Sequence, residues 1–537
     1  MSKNLSELSA RQGLDNNLFE NLAKTDLDKK QIAKNFLVGD STVTGSLSFY
    51  DFLKDENKDK KVYVCNGSAC LCAGTQDNLT QQLSKHFNEN EIGHMTCLGR
   101  CHENSAFHYD GQNYSALSEK QLEDVINNKP TSLNRDNYNT NAIGDRILTG
   151  TALTADQVIQ TFTKIINQDK EITLNEIQKS QLRGRGGAGF PIGFKLESAM
   201  NTESSSKYII CNADEGDPGA YSDRYLLEKQ PYSVLFGIMV SAYIVGAQYG
   251  VLYIRAEYPE SISIIDKAIH SLEPILETMD FDFKFKIISA QGAYICGEET
   301  ALINSIEGQR PEVRTRPPFP TQQGLFNKPT VVNNVETLAS LYAIIEKSGD
   351  YYANLGHELS TGTKLVSLDS FFNNPGVYEV EMGTPLTNVF KKLGGGFKKP
   401  IKAIHIGGPL GGVVPVSKFN DLNISFESFS GNGFLLGHAS VVCIPEDFAM
   451  INYIQHLFEF AAYESCGKCF PCRLGTKRGE ELFTKAINDK QLIDKALLND
   501  LLDTLEQGSL CAHGGGIPLP VKNILTYFPD ELENYFA

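Results

Sequence analysis

The sequence predicts a multidomain protein of α/β and α+β class whose residues 441–537 form a helical bundle around a set of thiolates. Three observations carry that reading. The 537 residues exceed what one hydrophobic core supports and divide, on ordinary domain sizes, into about three to five units. Short β-branched and aromatic runs at 207–211 and 284–289 each lead into a turn rich in glycine and carboxylate, and open α/β sheets bind ligands beyond the carboxyl ends of their strands. Finally, Glu464-Ser465-Cys466-Gly467-Lys468-Cys469-Phe470-Pro471-Cys472 spaces three thiols so that they can converge on one point.

Thiolates at that density suit zinc or an iron–sulfur cluster, and four complete either shell. Cys511 is the candidate fourth. Zinc sites usually pair two Cys-x-x-Cys units, whereas a close triple with one distant cysteine is the habit of [4Fe–4S] centres. A cluster moves one electron at a time, so the rest of the chain must supply a donor, a route in and a route out.

Composition excludes several classes. A net charge of −16 with no Lys/Arg cluster argues against nucleic acid as a partner. Twelve cysteines are too few for a disulfide scaffold of this size and too clustered for scattered core positions, so reduced thiols and a cytoplasmic setting are expected. Residues 1–7 lead into mixed polar sequence, and no secretory signal is visible. The uncharged run 230–254 is long enough to span a bilayer. Gly246-Ala247-Gln248-Tyr249-Gly250 breaks it, however, which predicts a buried helix over 233–245 and a strand over 251–254 rather than a membrane span.

In chain order, residues 1–55 read as short helices or a partly ordered arm. A strand over 61–64 runs into Cys65 and Cys70, a helical segment covers 79–87, and a second pair follows at Cys97 and Cys101. Two close pairs on turns are what a four-thiolate [2Fe–2S] site asks for, with Gly67 and Gly99 allowing close backbone approach; zinc is the alternative, and Cys72 is a bystander. The polar stretch 131–150 reads as a linker. In Leu182-Arg183-Gly184-Arg185-Gly186-Gly187-Ala188-Gly189-Phe190, the residues Gly184, Gly186 and Gly189 satisfy G-x-G-x-x-G only formally, because 174–182 reads as helix where the dinucleotide fingerprint needs a strand. Small residues there still let backbone N–H groups approach phosphate, with Arg183, Arg185 and Lys195 as cations. Three carboxylates, Asp214, Glu215 and Asp217, follow the strand at 207–211; Glu298 and Glu299 open a helix over 300–306. Residues 310–324 are proline-rich and extended. Beyond 348, strands at 364–368, 376–380 and 403–406 around a helix at 386–393 predict a small α+β module, and helices near 445–465, 474–487 and 494–507 make the terminal bundle. The expected divisions are 1–55, 56–130, 131–347, 348–440 and 441–537.

Taken together, the motifs at 183–195, 212–219, 292–300, 328–337, 464–475 and 509–511 resemble the flavin-carrying, NADH-oxidising subunit of respiratory complex I. They resemble equally its soluble relatives, the diaphorase subunits of NAD-reducing hydrogenases and NAD-dependent formate dehydrogenases. The resemblance covers about residues 150–530, and residues 60–130 resemble the thioredoxin-like [2Fe–2S] domain that complex I keeps on a separate subunit. It implies a thioredoxin-like domain, a Rossmann-like FMN/NADH domain, a ubiquitin-like (β-grasp) α+β domain and a helical [4Fe–4S] domain.

The resemblance further implies that Gly184, Gly186, Gly189, Lys195, Asn212, Asp214, Glu215, Tyr294, Gly297, Glu298, Asn333 and Asn334 cradle FMN, and that Phe190, Lys195, Asp217, Glu299 and Phe319 surround NAD(H). Asp217 and Glu299 fall on the nicotinamide side and are the implied catalytic pair. NADH would pass a hydride to FMN, and single electrons would leave through Cys466, Cys469, Cys472 and Cys511 to other iron–sulfur subunits and a terminal hydrogenase or formate dehydrogenase. The alternatives are a complex I-type respiratory subunit and an iron–sulfur relay without flavin. Departures from the family pattern are Asp217 in place of glutamate, Leu196 and Ser198 in place of aromatics, no tryptophan, and Arg100 with His102-Glu103-Asn104 in place of small residues. No ferredoxin module follows Cys511, and no nickel, molybdenum or quinone site is visible.

Overall fold

The computed structural model describes residues 13–16, 18–24, 28–133, 139–357 and 359–537. The arm places the helices Leu18–Lys24, Lys29–Asn35 and Asp40–Leu47 ahead of the first sheet. Its end is pinned to the rest of the molecule, because the Asp51 N–H donates to the Gly292 carbonyl at 2.7 Å and Tyr50 shares a hydrogen bond with Ser305 at 2.8 Å.

The first sheet has strand order β2-β1-β3-β4, from β1 (Val62–Cys65), β2 (Ile92–Met95), β3 (Phe107–Tyr109) and β4 (Gln112–Tyr114). β1 runs parallel to β2 and antiparallel to β3, the pairing of a thioredoxin-like domain. β5 (Asn139–Ile143) corrects the linker expected over 131–150: it pairs in parallel with a strand more than two hundred residues downstream, residue for residue from Asn139 to Ile143. Polar side chains there reflect an exposed edge strand, whose backbone forms the ladder whatever its side chains are. Residues 134–138 of the expected linker lie outside the described residues.

The central sheet is wholly parallel, with order β8-β7-β6-β9, from β6 (Tyr208–Ala213), β7 (Tyr249–Arg255), β8 (Lys284–Ala290) and β9 (Thr330–Asn334). Burial on both faces explains the near-continuous apolar runs. Ile209, Cys211, Leu252 and Ile254 pack on one face with the helix Pro231–Val245, and Ile210, Val251, Tyr253 and Val332 pack on the other with the helix Glu299–Ile306 and Tyr50. The helix Pro231–Val245 and β7 are the buried pair expected from 233–254, and no helix among the described residues is long and apolar enough to cross a membrane.

After a short hairpin, β10 (Gly356–His357) and β11 (Ser360–Thr361), come β12 (Thr363–Leu368), β13 (Gly376–Glu381), β14 (Ile401–Ile406), β15 (Gly412–Pro415) and β16 (Ser440–Pro445). They form a six-stranded sheet, β15-β14-β16-β12-β13-β5. Residue 445, expected to open a helix, instead ends β16; the helix begins at Met450 and is followed by Phe470–Asn488, Lys495–Gly508, Ala512–Gly516 and Pro518–Tyr527.

His405 on β14 is buried between two partners, accepting from the Tyr453 hydroxyl at Nδ1 (2.9 Å) and donating from Nε2 to the Gly411 carbonyl (3.3 Å). That arrangement needs the neutral ring, and burial lowers its pKa to about 4. The folded protein therefore resists a proton that the unfolded chain accepts near pH 6.5, so stability falls as pH drops from about 6.5 toward 4. His405→Gln should lose less melting temperature than wild type between pH 7.5 and pH 5; identical losses in the two proteins would contradict the assignment.

Candidate functional site

The central sheet changes winding direction between β6 and β9, because β7 and β8 lie on one side of β6 while β9 lies on the other. Crossovers that leave in opposite directions open a crevice at the carboxyl edge of such a switch point. The register sets Asn212 beside Asn334 and Cys211 beside Asn333 at that edge, followed on β6 by Asp214 to Asp217. Asp214 Oδ2 and Asn333 Nδ2 are buried and have no hydrogen-bond partner among the described residues. An unpaired buried donor or acceptor costs about 1–3 kcal/mol, so two at one strand end mark a place built for a polar ligand. Burial accordingly pushes the Asp214 carboxyl well up.

The glycine-rich loop closes over this edge as a hairpin, with Gly184 N–H bonded to the Phe190 carbonyl at 2.8 Å. It follows the helix Lys170–Lys179 and precedes the helix Ile192–Asn201, so the missing strand is real. A Cβ on Gly186 would stand 2.9 Å from Asn334 Cβ, and Gly189 has φ +61°, which only glycine adopts at little cost. The three cations do not all serve the site. Arg183 is tied to Glu427 and to the Gly189 carbonyl, and Arg185 is buried against Tyr352 and the Thr361 carbonyl. Lys195 alone reaches the edge, 3.2 Å from both Glu299 Oε2 and the Val332 carbonyl.

The carboxylates and amides divide similarly. Glu215 is turned away to receive the N–H groups of Asp223 (2.9 Å) and Arg224 (3.0 Å). Asn334 caps the helix Val335–Ala339, and Asn212 donates to the Gly297 carbonyl at 2.8 Å. Glu298 caps the helix Glu299–Ile306 through Thr300 and Ala301, with Arg316 on its other oxygen. Glu299, left free of the capping role, pairs with Lys195 and with Arg316 at 3.0 Å. Asp217 accepts from the Tyr294 hydroxyl at 2.9 Å and pairs with His438 at 2.8 Å. Phe190, Phe194 and Phe319 stand 45%, 61% and 52% exposed, which leaves rings available for stacking. Leu196, where an aromatic was expected, is fully buried in the helix core, and Phe194, one helical turn after Phe190 and 5.7 Å from its ring, supplies the exposed ring instead. Sequence reasoning missed Phe194, and also His438 and Arg255, whose guanidinium donates to the Glu215 carbonyl (2.6 Å) and the Thr96 carbonyl (2.8 Å). The apolar strand ending in Arg255 was a usable signal; His438 had none.

The thiolates assemble as two sets. Cys97 and Cys101 sulfurs lie 3.3 Å apart, Cys65 bonds to both Cys70 and Cys97, and Cys101 Sγ accepts from Gly219 N–H at 3.3 Å. Cys72 faces Asp369 and Cys443 instead. Arg100, His102 and Asn104, which replace small family residues, point to the neighbouring lobes: Arg100 pairs with Glu260 at 3.6 Å, His102 packs on Tyr221 at 4.7 Å, and Asn104 bonds Ser370. In the second set, burial and the neighbouring Cys469, Cys511 and Cys466 push the Cys472 thiol up to about 12, and burial pushes Cys511 up to about 11. Thiols that resist ionisation this strongly when crowded and buried fit a cationic centre, which reverses the penalty. All twelve cysteines are free. Tyr294 joins the strand-end edge to this set: its N–H donates to Glu464 at 2.8 Å, and its ring packs edge-on against Phe460 at 5.0 Å.

A switch-point crevice with unpaired polar atoms, flanked by two sets of crowded thiols, is the arrangement of a protein that couples a bound polar ligand to metal centres. Residues 177–343 match the Nuo51 FMN-binding domain, residues 452–535 the NADH-ubiquinone oxidoreductase-F iron-sulfur binding region, and residues 25–129 the thioredoxin-like [2Fe-2S] ferredoxin. Among relatives, the NADP-reducing hydrogenase subunit HndC of Solidesulfovibrio fructosivorans is 39% identical over 379 residues, 69% of this chain and 77% of that one. The NAD-reducing hydrogenase HoxS subunit alpha of Cupriavidus necator is 32% identical over 529 residues, 91% of this chain and 85% of that one. An NADH-quinone oxidoreductase subunit of Escherichia coli is 36% identical over 372 residues, 67% of this chain and 83% of that one. A crystal structure of NAD+-reducing [NiFe]-hydrogenase in the air-oxidized state matches with a TM-score of 0.88 and 26% identity, covering 100% of this chain and 95% of that one. The chain belongs to the family that unites this NADH-quinone oxidoreductase subunit with the two hydrogenase subunits, and it carries FMN-binding, [4Fe–4S] and thioredoxin-like [2Fe–2S] domains. The matched domains are those of a [2Fe–2S] protein and not a zinc protein, and of a flavoprotein and not a relay without flavin.

Cys97→Ser in the full-length protein should lose about two irons and two sulfides per chain while the [4Fe–4S] signal persists. Stoichiometric zinc in the wild-type protein, or loss of both cluster signals together, would contradict two separate centres.

Proposed function

We propose that this chain is the NADH-oxidising diaphorase subunit of a soluble, cytoplasmic, multi-subunit hydrogenase. The observation that carries the proposal is the placement of one strand-end site between two thiolate sets, touching the first through Gly219 and the second through Tyr294 and Glu464. Bound FMN would accept a hydride from NADH and release electrons singly to the iron–sulfur centres. Lys195, Asn212, Asp214, Tyr294, Gly297 and Asn333, with the backbone of the loop 184–190, would hold it. Phe190, Phe194, Phe319, Asp217 and Glu299 would bind and orient the dinucleotide, the rings by stacking and the carboxylates by accepting from ribose hydroxyls or the carboxamide. Glu215, Glu298 and Asn334 would act as caps that fix the loops.

A hydrogenase setting is supported over a complex I-type one by coverage: the Cupriavidus hydrogenase relative spans 91% of this chain, including the thioredoxin-like part, against 67% for the quinone oxidoreductase relative. A formate dehydrogenase partner is the second reading, and a native pull-down separates the two. Partner docking is supported beside the second thiol set, where Phe470 (76% exposed), Leu474 and Leu510 surround the half-buried Cys469 and Cys511. Cys469→Ser should leave reduction of flavin by NADH fast in stopped flow while turnover with a protein-sized acceptor falls more than about tenfold; unchanged turnover would exclude this exit.

Glu299 offers a second test, because Glu298 and not Glu299 caps the helix. A carboxylate beside a ring that gains negative charge on reduction repels that charge. Glu299→Gln should therefore keep FMN and melting temperature nearly unchanged, raise the flavin midpoint potential and change NAD+ affinity. An unmoved midpoint with unaltered NAD+ affinity would remove Glu299 from the redox site.

A further inference from the structure

Asp217 is held by groups from two different lobes. Tyr294, after β8, donates its hydroxyl to Oδ1 at 2.9 Å, whereas His438, in the turn before β16, places Nε2 2.8 Å from Oδ2. The backbone N–H of Ser440 donates to His438 Nδ1 at 3.4 Å, so Nε2 is the ring nitrogen that faces the Asp217 carboxylate. Partners on opposite oxygens, Tyr294 by hydrogen bond and His438 by close pairing, fix the carboxylate plane. The surrounding backbone is shaped to admit it: Gly408 has φ +85°, and a Cβ there would stand 2.3 Å from Asp217 Oδ1. Gly437, at φ +55°, lies so close to the other turn that a Cβ would stand 2.3 Å from the Gly407 carbonyl oxygen. The glycine turns of the six-stranded sheet thus close on one side chain of the central sheet.

Burial lowers the His438 pKa, but the Asp217 charge outweighs burial and raises it, while His438 and Tyr294 hold Asp217 low against its own burial. The charged groups facing the ring are Asp217 and Glu215 from the loop after β6, and Lys364 from β12, which is itself paired with Glu336. An ion pair that only stapled the two lobes would not need to sit between Tyr294 and the loop that carries Asp214.

We propose that His438 is a positioning residue for NAD(H): by pairing with Asp217 Oδ2 at 2.8 Å it holds that carboxylate toward the dinucleotide, so the six-stranded sheet completes the NADH pocket. The inference rests on the assignment of Asp217 to the dinucleotide made above. The test compares four forms of the full-length holoprotein: wild type, His438→Ala, His438→Gln and Asp217→Asn. His438→Ala should raise the KM for NADH and the Kd for NAD+, measured by calorimetry, about tenfold, with kcat and FMN content held within about twofold. His438→Gln, which keeps an amide donor near the Nε2 position, should recover most of the loss. Unchanged Kd in His438→Ala, or equal loss in Ala and Gln variants with reduced FMN content, would overturn the proposal. Asp217→Asn separates the two levels: weakened NAD+ binding there with none in His438→Ala overturns the role of His438 alone, and no weakening in either overturns the Asp217 assignment as well.

Discussion

The structure depends on one unmet demand: Asp214 Oδ2 and Asn333 Nδ2 are buried at the carboxyl edge of the central sheet without a hydrogen-bond partner among the described residues. Folding could have paired them across adjacent strands, since β6 and β9 are neighbours. Instead the winding reverses between those strands, and a crevice opens at the edge where both groups lie. The glycine hairpin, Lys195 and the Glu298 cap all serve to roof or brace that place, and their own hydrogen bonds are satisfied within the chain.

Both thiol sets are anchored to loops that leave the same sheet edge. Gly219, after β6, donates to Cys101, and Arg255, at the end of β7, ties the loop after β6 to Thr96 just before Cys97. Tyr294, after β8, touches Asp217 on one side and Glu464, two residues before Cys466, on the other. Successive parallel strands thus hand their loops to Asp217, the first thiol set and the second. Fusion of the thioredoxin-like domain shows in Arg100, His102 and Asn104, which departed from the family pattern because they dock that domain onto its neighbours.

Much of this was legible in the sequence, and the reasons differ by element. Cysteine spacing identified both thiol sets and set Cys72 aside, because thiolate ligation is a local requirement. Strand ends at 212–219 and 292–300 were legible because carboxylates and glycine after an apolar run have few other uses. The edge strand β5 was not, since its polar side chains hide a ladder made only by backbone. Arg183 and Arg185 read as phosphate ligands, yet Glu427 and the Thr361 carbonyl, both distant in sequence, claim them. Charge near a glycine loop says nothing about where a long side chain will point. His438 was invisible for the same reason: its partner lies on another lobe.

Asn333, on this account, is kept for flavin and not for the fold. Full-length protein stripped of flavin should be titrated with FMN alongside Asn333→Leu, with melting temperatures recorded before addition. Replacing an unpaired buried amide by an apolar group of similar volume should leave the flavin-free melting temperature unchanged or higher, while FMN affinity falls by about tenfold or more. A lower melting temperature with unchanged FMN affinity would contradict the account.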